Sequence, residues 1–75
     1  MTLHVTTKKF DRVRVIDEDS PFWRYEGMIV EMPHGDLVCG KFLALPTDRD
    51  FLILTFKQRQ LENVHPGEEW KYFNP

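Results

Sequence analysis

The sequence predicts a small all-β barrel, and three observations predict it. Short runs alternate apolar and polar residues with a period of two. Turn-forming residues interrupt them every 8–12 residues or so, the spacing of small barrels and sandwiches. No stretch of a dozen residues keeps apolar positions three and four apart, and prolines at 21, 33, 46, 66 and 75 break any long helix.

In chain order, Arg12-Val13-Arg14-Val15-Ile16 alternates, so Val13 and Val15 share a face. Asp17-Glu18-Asp19-Ser20-Pro21 breaks that strand, and Phe22-Trp23-Arg24-Tyr25-Glu26-Gly27 is an aromatic-rich loop. Met28 to Met32 reads as a second strand with Met28, Val30 and Met32 on one face. Pro33-His34-Gly35-Asp36 is a hairpin turn into a third strand, Leu37 to Leu43. After a polar connection over Leu45 to Asp50, the apolar run Phe51 to Phe56 predicts a central strand. Lys57-Gln58-Arg59-Gln60 has the length of one 3₁₀ turn, and Leu61 to Val64 closes the sheet. The alternation points Val13, Val15, Met28, Val30, Leu52, Leu54 and Leu61 inward.

Seventy-five residues make a single domain, with a barrel core at about 10–64 and an irregular aromatic tail over 65–75 that carries Trp70, Tyr72 and Phe73. A chain this short has little body in which to build a deep catalytic cleft. The net charge of −2 argues against general nucleic-acid binding, although Lys8, Lys9, Arg12 and Arg14 form a local basic cluster. One cysteine, Cys39, allows no internal disulfide and fits a reducing, cytoplasmic location. No apolar run approaches the ~20 residues of a membrane span.

Chemistry-bearing residues are sparse. His4, His34 and His65 are scattered and Cys39 stands alone, so no metal site or cofactor is expected. Cys39 lies in a strand, which suits a small packed residue better than a nucleophile. Asp17, Glu18 and Asp19 lack the spacing of a calcium loop and read as a solvated turn. The four glycines are isolated, so there is no phosphate-binding loop. No catalytic residue is assigned. The constellation that stands out is Phe22, Trp23, Arg24 and Tyr25, residue types enriched at interface hot spots. Alternation would put Phe22 and Arg24 on one side and Trp23 and Tyr25 on the other. Arg49, Lys57 and Arg59 are candidates to join Arg24 in a basic, partner-steering patch; four unrelated solvated charges are the alternative.

Two family resemblances attach to these residues. Asp11 to Ile16, followed by Tyr25 to Glu31, resembles the KOW motif of NusG-type transcription factors and some ribosomal proteins. Gly27 takes the motif's glycine position, and Phe10 stands where the motif usually opens with glycine. The resemblance implies a backbone at Gly27 that no side chain can share. Phe22 to Gly27, with Leu54-Thr55-Phe56-Lys57 and Leu61-Glu62-Asn63-Val64, is similar to the ferredoxin-docking S subunit of photosynthetic NADH dehydrogenase-like complexes. Both resemblances imply an SH3-like barrel of five strands with one short 3₁₀ turn. The second implies a location peripheral to a membrane complex. The expected function is a non-enzymatic protein–protein module, docking on or forming part of a larger assembly. KOW-type nucleic-acid binding is the alternative, and an enzyme has the least support. The sequence does not define the oligomeric state.

Overall fold

The computed structural model describes residues 8–65, 67, 68 and 70. It contains five strands: β1 (Arg12–Val15), β2 (Glu26–Glu31), β3 (Leu37–Leu43), β4 (Leu52–Lys57) and β5 (Leu61–Asn63). A 3₁₀ turn, Gln58–Gln60, joins β4 to β5. All pairings are antiparallel, in the order β4-β3-β2-β1-β5. The sheet curls into a half-barrel, and the expected class, a small all-β five-stranded barrel with one 3₁₀ turn, is the observed one. The tail's Tyr72 and Phe73 lie outside the described residues.

The concave face holds Val13, Val15, Ile29, Val38, Phe42, Phe56 and Leu61. Phe42 meets Phe56 edge-on with ring centres 5.0 Å apart, and Phe56 meets Phe22 at 6.2 Å. Phe22 in turn meets Tyr25 at 5.4 Å, so an aromatic chain runs from β3 through β4 to the β1–β2 turn. Two glycines make room for Phe42. A β-carbon on Gly27 would lie 2.8 Å from its ring and overlap the Lys41 carbonyl; one on Gly40 would lie 2.9 Å from the same ring. The expected close approach at Gly27 is therefore present.

Two sequence expectations need correction. The inner residues here are Ile29 of β2 and Met32 just after it, while Met28 is exposed and Val30 half-buried. Pairing puts Gly27 opposite both Val13 and Phe42 on the inner face, so the inward phase begins at a residue with no side chain. A bulge between Ile29 and Glu31 then restores Met32 to the core side. Secondly, β4 is an edge strand, not a central one. Its Leu52 is on the inner face but exposed, and Leu54 is half-buried against the core.

Candidate docking surface

The aromatic loop folds as a tight turn, so strand alternation does not apply to it. Ser20 Oγ accepts the Phe22 N–H at 3.1 Å, and Phe22's carbonyl accepts the Tyr25 N–H at 3.0 Å. The split is thus Phe22 and Tyr25 inward, against the core. Trp23 and Arg24 sit outside, with the guanidinium 4.1 Å above the Trp23 ring. The other candidates fall elsewhere. Arg49 lines an outer-face groove, Arg59 sits in a hollow with Ile16, Asp17 and Gln60, and Lys57 ends β4. The seven residues do not form one patch: two belong to the packed interior and the cations are dispersed.

The basic cluster is likewise rearranged by folding. Arg12 and Arg14 point to the outer face among carboxylates. Register sets Glu26 of β2 and Glu62 of β5 opposite Arg14. Its guanidinium reaches Glu62 at 2.7 Å, Glu68 at 3.2 Å and Glu26 at 3.3 Å. Arg12 meets Glu26 from the other side at 3.3 Å. Arg14 and Glu26 are each 2% exposed. Burial pulls the Arg14 guanidinium's pKa down, but the hydrogen bonds to Glu62, Glu68 and Glu26 outweigh it and hold it above its ordinary value. The sequence showed these charges but not their strand register, so this network was not foreseen.

Beside the network lies a groove of about 540 Å³, which sequence reasoning also missed. Its apolar lining is Phe10, Met28, Val30, Leu43, Phe51 and Trp70. Arg12, Lys41 and Arg49 stand at it too, as do Glu26 and Asp48, with the Lys41 ammonium 4.7 Å above the Phe51 ring. Trp70 brings the tail to the groove, and Glu68 ties the tail to Arg12 and Arg14.

Phe10 is the distinctive member. It is 67% exposed and its backbone is left-handed, at φ 74°. Asp11 N–H bonds to the Lys8 carbonyl, which places Phe10 third in a four-residue turn. Phe10 N–H donates to the Ile29 carbonyl, while Ile29 N–H donates to the Asp11 carbonyl. Two residues therefore oppose one, the pattern of a bulge whose first residue is ordinarily glycine. Arg24, at φ 80°, repeats the arrangement: Arg24 N–H donates to the Val15 carbonyl and Val15 N–H to that of Tyr25. Both glycine-type positions carry large exposed side chains.

The fold and this surface define a small barrel-like β domain with an open apolar groove. Compared with known protein families, curated proteins and solved structures, the chain finds no match.

Proposed function

We propose that the chain is a non-enzymatic protein–protein interaction module, a docking or peripheral subunit of a larger cytoplasmic assembly. The outer-face groove is its docking surface. The observation that carries this reading is Phe10: a bulky, exposed aromatic at a backbone position where glycine is unstrained, on the rim of an apolar groove. The charges at the groove are of both signs, Arg12, Lys41 and Arg49 with Glu26 and Asp48, so the partner segment that fits is apolar with mixed charged flanks. Trp23 and Arg24 form a second, smaller contact at the β1–β2 turn. Nucleic-acid binding is the weaker alternative, because Arg12 and Arg14 are engaged by Glu26, Glu62 and Glu68.

Affinity capture on the immobilised chain, read by mass spectrometry, tests the proposal. Phe10→Gly and Met28→Glu should each reduce retention of the partner at least about tenfold, as loss of a hot spot does. Trp23→Ala should have the smaller effect. Retention unaffected by both groove variants but abolished by Trp23→Ala would move the site to the turn. Salt-labile capture of RNA in place of protein would favour the alternative.

A further inference from the structure

The geometry points to a second docking element that adjoins the groove at Phe51: the edge of β4, which has no strand partner beyond β3 among the described residues and which we infer pairs with β4 of a second copy. Which backbone groups are open follows from the ladder. Gln58 N–H donates to the Asp36 carbonyl, so Asp36 and Gln58 are a hydrogen-bonded pair. Such pairs alternate along an antiparallel ladder. In the observed register Phe56, Leu54 and Leu52 therefore bond to Val38, Gly40 and Phe42. Phe51, Ile53, Thr55 and Lys57 direct their N–H and carbonyl groups away from β3. The Lys57 N–H is already capped, at 2.9 Å, by the Gln60 side-chain carbonyl.

Natural sheet edges are ordinarily blunted by charge, proline or a bulge. This one has none of these between Phe51 and Phe56. It exposes apolar groups instead: Ile53 is 56% exposed, and Phe51 and Leu52 nearly half. A two-fold antiparallel pairing centred on Ile53 uses only the uncapped groups, those of Phe51, Ile53 and Thr55. It places Ile53 on its own mate and Phe51 on Thr55 at the outer face. At the inner face Leu52 meets Leu54 of the second copy. A register centred one residue later would need the Lys57 N–H that Gln60 occupies.

Charge agrees with this occupant. Antiparallel pairing brings the flank Asp48-Arg49-Asp50 of each copy, net negative, towards Lys57-Gln58-Arg59 of the other, net positive; Arg49 falls level with Lys57, so the attraction rests on Asp48 and Asp50. A single strand pair buries much less than the ~1,600 Å² of a standard interface, so the dimer is reversible and concentration-dependent. Pairing would also join the two outer faces into one surface with Phe51 at the seam.

Sedimentation velocity of the full chain, with amide hydrogen exchange over about a hundredfold range of concentration, tests this. The expected result is a shift from monomer to dimer, with Ile53 and Thr55 amides slowing as concentration rises. Leu54 and Phe56 amides, already bonded to β3, should respond much less. Ile53→Lys or Thr55→Pro should weaken dimerisation at least about tenfold, whereas Met28→Lys, on the same face but two strands in, should not. A chain that stays monomeric throughout, or a dimer whose Ile53 and Thr55 amides exchange at a concentration-independent rate, would overturn the inference. The exchange readout uses the unaltered chain, so it holds even where a variant misfolds.

Discussion

Phe10 and Arg24 place two large side chains where the backbone favours none. A left-handed conformation costs an ordinary residue about 1–2 kcal/mol relative to glycine, offset in part by the freedom glycine gains when unfolded. Each side chain recovers something locally. Lys9 sits 5.7 Å above the Phe10 ring, and Arg24 packs more closely on Trp23. Exposed cation–π contacts contribute about 0.5–1 kcal/mol, and the closer one should approach the upper figure. Phe10→Gly should therefore raise stability by about 0.5–1 kcal/mol, and Arg24→Gly should leave it within about 0.5 kcal/mol of the parent. Urea unfolding measures both. A loss of 1 kcal/mol or more on Phe10→Gly would mean that the ring is held by packing, and would remove the main reason for assigning it to a partner.

At the scale of the strand, the phase of β2 decides which residues form the core. Ile29 is fully buried between β1 and β3, whereas Met28 faces the groove. Ile29→Ala should destabilise by about 2–5 kcal/mol, most of the stability of a domain this small. Met28→Ala should change it by less than about 1 kcal/mol. Equal effects in thermal melts would reverse the assignment. The strands themselves were legible: β3 coincides with the expected Leu37 to Leu43, and Val13, Val15 and Leu61 are core as the alternation required. The phase of β2 was not. Gly27 carries no side chain to mark its face, and the bulge after Ile29 breaks the period of two. Position in the sheet was also hidden. An apolar run such as Phe51 to Phe56 reads as central, because the sequence cannot say that Phe51 and Ile53 are left exposed. For the same reason the groove, assembled from Phe10, Met28 and Phe51 on separate elements, had no local signature.

Across the whole molecule, carboxylates tie the sheet to its tail, and this sets the response to acid. The His65 backbone N–H and the Arg14 guanidinium hold the Glu68 carboxyl below its ordinary pKa. The Gln60 amide and the Asp19 N–H do the same for Asp17. A depressed folded value means the unfolded chain takes up protons first as pH falls. The stabilisation is complete above the ordinary carboxylate range and is lost as pH drops through the folded values. Melting temperature should fall over that acid window, and Glu68→Gln or Asp17→Asn should flatten the slope. Both carboxylates are solvent-accessible, so each effect is small. Arg14 stays charged throughout and adds no pH dependence of its own. Its contribution is read by mutation instead. Arg14→Met takes from Glu26 its buried partner at 3.3 Å and should destabilise by about 3–5 kcal/mol. Glu26→Leu alone should be of similar sign, because Arg14 keeps Glu62 and Glu68 but loses its buried partner. Replacing both removes two desolvated charges together and fills their space with apolar groups, so the double variant should recover most of the loss. A double variant as unstable as the sum of the singles would mean that the pair holds β1, β2, β5 and the tail in register through geometry that apolar packing cannot supply.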